Sequence, residues 1–396
     1  MAADDSRIPA LPLTAHLRAG LQRIRSADLY RVRRVIDGGH GAQIRVNGRD
    51  CINFCSNDYL GLAADPRLAE AARGALAHGT GSGASALVSG YNREHQQLEE
   101  ELAAFLGRPR ALLFSSGWAA NLGVLRGLLG RDDAIVADEL NHASLIDGGR
   151  LSGARYQRVA HADVAAFDAA LVAANGARLK LLVSDAVFSM DGDCAPLAEL
   201  APRAMQQGAA LMVDDAHGFG VLGARGRGTL EMLDVRADIQ IGTFGKAAGA
   251  AGAFVAGDDD LIEYLIQHAR SWVFSTAPPP AIAAAARRGL QLIQSEPERR
   301  TQLFDNIRRL REGARALGIA LGESQTPIQP LVLGDAAQAL ALSQQLFEQG
   351  FWVAAIRPPT VPVGTSRLRI TLSAAHRPAQ IDALLDALAT ALRQRA

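Results

Sequence analysis

The chain has 396 residues, too many for one small core and enough for two or three packed subdomains. Apolar residues make up 48% and charged residues 21%, the balance of a soluble globular protein. Lys+Arg and Asp+Glu both number 41, which excludes a global electrostatic footprint for nucleic acid or an anionic membrane.

From about Leu17 to Ile36 apolar residues recur at helical spacing among arginines, which predicts an amphipathic arm. Gln43–Val46 and Cys51–Phe54 flank Asn47-Gly48, the signal of a tight hairpin. Arm and hairpin form an N-terminal segment, residues 1–60. Beyond it, residues 61–290 alternate helices with compact apolar strands at Ala111–Ser115, Ala134–Ala137, Leu179–Ser184, Ala209–Asp214, Ile239–Thr243 and Ala253–Ala256. That alternation predicts a large α/β domain with a mostly parallel sheet covered on both faces. The last of these strands follows Lys246 too closely for a helical crossover and is expected to be antiparallel.

Pro278-Pro279-Pro280 then breaks the pattern. A helical stretch from about Ala281 to Leu317 precedes strands near Ile328–Leu333, Trp352–Ile356 and Arg367–Thr371, with helices at about 336–349 and 377–394. Residues 291–396 thus read as a smaller C-terminal α+β domain. No apolar run reaches the ~18 residues of a membrane span. The first twenty residues, with Asp4 and Asp5, lack the basic and apolar regions of a signal peptide. Three cysteines suit a reducing compartment, so the chain reads as cytoplasmic. Cys51 and Cys55 lie four apart with no second pair, which points to core packing and to no metal.

Two familiar patterns mislead. Gly218–Gly223 matches GxGxxG, but Asp-Asp-Ala-His stands between the strand and the first glycine, and the glycine-rich run after it opens a helix poorly. Gly245-Lys246 has neither the upstream glycine nor the Ser/Thr of a P-loop.

The chemistry lies elsewhere. Asp214 and His217 stand three apart at a strand end, and the next strand delivers Lys246 among Gly242, Gly245, Gly249 and Gly252. A pyridoxal 5'-phosphate enzyme needs an amine to form a Schiff base and a carboxylate to keep the pyridine nitrogen protonated. Lys246 is the candidate amine and Asp214 the candidate carboxylate. Burial of Lys246 would lower its pKa toward the range of a base. Ser115–Asn121 runs from a strand into a helix, where backbone amides bind phosphate. His142 can cover one face of an aromatic ring. Arg367 and Arg369 alternate on a strand, so both point to one face, and either could clamp a carboxylate.

Together these segments resemble the α-oxoamine synthases, a fold-type I group of pyridoxal-phosphate enzymes. The resemblance runs from about Asp28 to the last helix, through Ser56–Leu62, Gly81–Gly83, Ser89–Tyr91, His95, Leu98–Leu102, Asn141–Leu145, Val187–Gly192, Val213–Gly218, Gly242–Lys246 and Arg367–Thr371. It implies that Lys246 is the Schiff-base lysine and Asp214 the partner of the ring nitrogen. It further implies that His217 and Ser189 contact the phenolic oxygen and that His142 stacks on the open face and acts in catalysis. The amides of Gly117 and Trp118, with Thr243, would hold the phosphate. Trp118 stands where the family usually has Phe or Tyr, a change that a main-chain contact tolerates. Thr276 would reach the phosphate of a neighbouring subunit, so a homodimer is expected. Arg369 would bind the amino-acid carboxylate, with Arg31, Arg357 and Asn57 as weaker substrate contacts.

Within the family, Ile356–Pro362 is similar to the branch that condenses L-alanine with a pimeloyl thioester, carried on coenzyme A or on acyl carrier protein, with loss of CO2. The sister activities of 2-amino-3-oxobutyrate CoA ligase, 5-aminolevulinate synthase and serine palmitoyltransferase share Lys246, Asp214, His142 and Arg369 and stay open at this point. A non-catalytic scaffold of the same fold is expected to lose its lysine or its ring acid, and both are present.

Overall fold

The computed structural model describes residues 12–394. The arm is a helix only over Pro12–Ser26; beyond it the chain runs irregularly, with Asp28 at φ +56°, into strand β1 (Ile36–Asp37). β2 (Gln43–Val46) and β3 (Arg49–Asn53) form the expected hairpin. Its two-residue turn holds Asn47 at φ +49° and Gly48 at +77°. Both central residues of a type I′ turn need positive φ, which is why this dipeptide closes it.

The central sheet comprises β4 (Arg110–Phe114), β5 (Ala134–Asp138), β6 (Arg155–Val159), β7 (Lys180–Asp185), β8 (Ala209–Asp214), β9 (Ile239–Thr243) and β10 (Ala253–Gly257). Its order is β4-β10-β9-β8-β7-β5-β6. The pairs from β9 through β6 are parallel, and β10 is antiparallel to both neighbours, as its short connection from Lys246 requires. Every residue of β5 and β10 is buried, so these strands read as unbroken apolar runs rather than as alternation. β6 escapes that reading. It is an edge strand, Arg155-Tyr-Gln-Arg-Val159, with only Val159 buried.

β11 (Ile328–Gly334), β13 (Ala354–Ile356) and β14 (Ser366–Thr371) make an antiparallel sheet with β14 central. The expected strand Trp352–Ile356 is divided. β12 (Phe351–Trp352) pairs parallel with β3 in the N-terminal sheet, and β13 pairs with β14. The N-terminal hairpin is therefore continued by a strand from the far end of the chain. The expected long helix is also two, Pro280–Ser295 and Glu298–Ala316. Pro297 between them supplies no amide hydrogen and disfavours helical geometry at Glu296. One apolar core joins all three regions, from Phe54 and Leu62 through Phe244 and Phe254 to Leu368 and Ile370.

The helix Gly117–Leu128 follows β4, the helix Ala143–Ser152 follows β5, and the loops after β7, β8 and β9 carry Ser189, His217 and Lys246. Sequence-predicted functional residues thus collect at the carboxyl ends of parallel strands, where α/β sheets place their ligands.

Candidate active site

Lys246 sits in a loop fastened from both sides. The Thr243 hydroxyl donates to the Gly252 carbonyl at 2.8 Å and accepts the Gly245 amide at 3.1 Å. Gly249 holds φ +68°, and a Cβ there would lie 2.5 Å from the Leu62 carbonyl carbon. Only glycine lets this loop press against the Ser56–Leu62 segment. Burial pushes the Lys246 ammonium down to about 8, against the pull of Asp214 and Asp185. It is an amine that can be neutral near physiological pH.

Asp214 ends β8 and is buried, its Oδ1 accepting the Ala216 amide at 3.0 Å. Its Oδ2 accepts from Asn121 Nδ2 at 2.7 Å. Asn121 gives its other amide proton to Ser144 Oγ at 2.8 Å, and Ser144 Oγ is 2.7 Å from His142 Nδ1. The Ser144 backbone amide also donates to that nitrogen, at 3.3 Å. A chain of hydrogen bonds therefore links Asp214 to His142 through Asn121 and Ser144. Asp185 ends β7 in register with Asp214 and accepts the His142 amide at 2.6 Å. Burial and the adjacent Asp214 carboxylate push Asp185 well up, toward its neutral form. His142 is exposed at its surface, yet the protein packed around its ring partly desolvates it. That desolvation lowers its pKa, with Lys246 acting the same way against Asp214.

His217 follows β8 and is buried, with Nδ1 2.6 Å from the Tyr59 hydroxyl. Burial and the Lys246 and Arg369 cations push it well down, so its ring is neutral. Arg369 enters from β14. Nε donates to the Ser189 carbonyl at 2.6 Å, and Nη1 donates to Asn57 Oδ1 and to Thr371 Oγ1, each at 3.1 Å. The Tyr59 hydroxyl also interacts with this guanidinium; of its five N–H donors, these partners leave at least one for a ligand carboxylate. Arg367 points to the same face, as the alternation predicts, but forms an ion pair with Asp191 and donates to the Met190 carbonyl at 3.3 Å. It braces the loop that carries Ser189, so of the two arginines Arg369 is the one with capacity for a ligand.

A second brace lies behind the first. His161 Nδ1 contacts both oxygens of Asp138, at 3.0 and 3.1 Å, and Nε2 lies 2.8 Å from Asp193. Its ring packs edge-on against Phe188. Asp138 ends β5, before His142, and Asp193 lies just beyond Ser189, so one imidazolium ties the two loops. These carboxylates raise His161 to about 10. A raised folded-state value means that the pairing stabilises fully below the unfolded value of about 6.5 and is lost as pH climbs through about 10. His161→Gln is therefore expected to lower the urea midpoint near neutral pH, with the gap to the wild type closing toward pH ~10. An equal gap across that range would contradict the pairing.

The remaining predicted residues fall into three places. The amides of Gly117 and Trp118 open the helix Gly117–Leu128, capped by Ser116 Oγ, which accepts the Ala119 amide at 3.1 Å. Trp118 is half-exposed and meets His142 edge-to-face at 6.1 Å. Thr276 is exposed and bridges Ser85 outside the Lys246 cluster. Arg31 and Arg357 lie together: Arg31 donates to Thr360 Oγ1 at 3.2 Å, and Arg357 donates to the carbonyls of Asp28 and Tyr30. Thr243 uses its hydroxyl proton inside the loop.

Sequence reasoning did not single out Asn121, Ser144, Asp185 or Tyr59. Register was a signal for Asp185, which ends the strand beside Asp214. Asn121 stands one helical turn beyond Gly117, on the face turned to the site.

The residues fit pyridoxal phosphate. A Cβ placed on Gly117 meets nothing within 4 Å, so the helix N-terminus opens onto free space. Asn121 Oδ1 is buried without a partner, beside the acid proposed for a ring nitrogen. A depressed amine, a buried carboxylate and two histidines pushed toward their neutral form, His142 and His217, complete the set.

Residues 49–388 match the family model for class I and II aminotransferases. The chain is 56% identical to the 8-amino-7-oxononanoate synthase of Methylococcus capsulatus, covering 96% of this chain and 98% of that one. It is 54% identical to the enzyme of that name from Thioalkalivibrio sulfidiphilus, covering 95% and 97%. Among solved structures, a serine palmitoyltransferase from S. paucimobilis with bound PLP–myriocin superposes with a TM-score of 0.91 at 32% identity, covering 98% of this chain and 99% of that one. An 8-amino-7-oxononanoate synthase from Francisella tularensis superposes with a TM-score of 0.76 at 32% identity, covering 87% and 98%. Fold, site geometry and full-length similarity agree: the chain belongs to the 8-amino-7-oxononanoate synthase family, within the class I and II aminotransferases.

Proposed function

We propose that this protein condenses L-alanine with a pimeloyl thioester, on coenzyme A or acyl carrier protein, to give 8-amino-7-oxononanoate, CO2 and the free thiol in biotin biosynthesis. The observation that carries the reading is the convergence of Lys246, Asp214 and Arg369 from β9, β8 and β14 on one site, in a chain whose 56% identity is to an oxononanoate synthase. The solved serine palmitoyltransferase and the solved oxononanoate synthase are both 32% identical to this chain. What favours L-alanine over L-serine is the 56% and 54% identity to two oxononanoate synthases over nearly the full length.

When bound, pyridoxal phosphate supplies an aldehyde for an amine and a pyridinium ring that accepts the electron pair released at Cα. Lys246 would hold that aldehyde and, as the free amine beside the substrate, would take the Cα proton of L-alanine and return one to the product. Its depressed pKa suits both duties. Asp214 holds the proton at the pyridine nitrogen, with Asn121 fixing its Oδ2. His217 and Ser189 orient the phenolic oxygen. The amides of Gly117 and Trp118 hold the phosphate at a helix N-terminus, with Thr243 shaping the loop beside them. His142 covers the open face and donates to the thioester oxygen as charge develops there. Bringing both substrates to one site supplies much of the acceleration.

Arg369 binds the alanine carboxylate through a guanidinium donor that its protein partners leave free. Arg369→Ala is expected to raise KM for L-alanine by about 100-fold or more, with Arg369→Lys recovering part of it. Unchanged KM in both variants would remove Arg369 from the site. Arg31 and Arg357 are assigned to the acyl substrate; Arg357 Nε is buried without a partner. Asn57 orients Arg369. Thr276 is assigned to the phosphate of a second subunit in a homodimer, supported by the exposed Leu87, Val88 and Phe274 near the Ser85–Thr276 bridge. The free cysteines accord with a cytoplasmic location. Expression in a bacterium lacking its own 8-amino-7-oxononanoate synthase tests the reading. Growth without biotin is expected, and failure to grow with folded protein present would overturn it.

A further inference from the structure

Tyr59 is fully buried in the Ser56–Leu62 loop, and its hydroxyl lies between two acceptors, 2.6 Å from His217 Nδ1 and 3.3 Å from Asn57 Oδ1. A phenol has one proton, so only one of them receives it. Distance favours the histidine, because 2.6 Å is typical of an O–H donor and short for an N–H donor, whose usual separation is about 2.9 Å. The amide oxygen lies farther off, at 3.3 Å, and already accepts one hydrogen bond. Arg369 Nη1 donates to Asn57 Oδ1 at 3.1 Å, and since a guanidinium only donates, the atom facing it is the oxygen. Burial pushes the Tyr59 phenol up to about 12 and His217 well down, so a neutral phenol meets a neutral imidazole.

We propose that Tyr59 is a positioning residue that fixes the tautomer of His217: by donating to Nδ1 it places the ring's single proton on Nε2. His217 then offers one neutral N–H donor, and the cations around it (Lys246, Arg369 and, when protonated, His142) keep it from taking a second proton. Such a donor suits an anionic oxygen. On the reading above, on which this inference rests, that oxygen is the phenolic oxygen of pyridoxal phosphate. Asn57 Oδ1 accepts from Arg369 and so holds the guanidinium beside this pair. Tyr59→Phe keeps the buried ring but leaves Nδ1 without its donor, so the proton is free to move to that nitrogen.

The test uses full-length protein labelled with 15N-histidine, before and after loading with pyridoxal phosphate. Long-range 15N–1H spectra read the His217 tautomer, with a His217→Asn sample to assign its signals. The wild type is expected to show the Nε2–H form in both states, and Tyr59→Phe to show the Nδ1–H form or a mixture before loading. In the loaded protein, the spectrophotometric midpoint of the lysine-linked chromophore is expected to rise in Tyr59→Phe by about half to one pH unit, the size of one lost hydrogen bond to the oxygen beside it. An Nδ1–H tautomer in the wild type would overturn the proposal even if the variant fails to fold. So would a variant that keeps both the tautomer and the midpoint. A changed tautomer without a changed midpoint would uphold the role of Tyr59 and contradict the placement of the cofactor oxygen at His217.

Discussion

Lys246→Ala is expected to lower turnover on the order of 10⁴-fold or more, the upper range for a general base, while leaving the fold intact. The lysine has no structural duty that alanine would fail to meet. Its loop is held by Thr243, Gly252 and the fit of Gly249 on Leu62, and within the described residues no hydrogen bond ends on its ammonium. What the substitution removes is an amine whose burial has lowered it to about 8, so that a useful fraction is neutral at pH 7–8. The spectrum of the purified variant separates the possibilities. A folded protein without lysine-linked cofactor absorbance accords with the assignment, whereas retained absorbance and turnover would move the attachment point elsewhere.

Asp214→Asn is expected to cost about 100-fold or more in kcat, the worth of a buried charge-assisted hydrogen bond at a ring nitrogen. Both carboxylate oxygens already accept from the protein, one from the Ala216 amide and one from Asn121 Nδ2. An amide has one acceptor oxygen, so it would turn its NH2 toward one of those donors and would carry no charge to hold the ring proton. The neighbour provides the control. Asp185 is pushed toward its neutral form by burial and by Asp214, and an amide resembles a neutral carboxylic acid. Asp185→Asn can still accept the His142 amide, so its loss in kcat is expected to stay within about 10-fold. Equal losses in the two variants would show that the strand-end acids do not have separate roles.

The two residues of largest expected effect were legible because they stand at the ends of apolar strands, where a charged side chain has few structural reasons to be. The strands themselves were legible for the same cause, since a sheet buried on both faces leaves continuous apolar runs. The edge strand Arg155–Val159 has no such run. The division of Trp352–Ile356 between two sheets arises because Trp352 pairs with Asn53, some 300 positions away, while Ala354–Ile356 pairs with the nearby β14, and no local pattern records the first pairing. The break at Pro297 was readable in principle, because proline interrupts a helix wherever it falls inside one.

Among the site residues, periodicity placed Arg367 and Arg369 on one face but could not tell them apart. That distinction comes from Asp191, which takes up Arg367 alone. The hydrogen bonds joining Asn121 to Ser144 and Asp214 link side chains 23 and 93 residues apart, and polar pairs of that kind leave no periodic trace. The same holds for Tyr59 and His217, and for the carboxylates that clasp His161.

The most direct measurement is a product assay on the purified protein loaded with pyridoxal phosphate. L-alanine with pimeloyl-CoA would be run beside glycine with acetyl-CoA and L-serine with palmitoyl-CoA, with products identified by mass spectrometry. The expected result is 8-amino-7-oxononanoate and free coenzyme A from the first pair, and little turnover of the other two. Turnover of glycine or L-serine with no product from L-alanine would contradict the assignment.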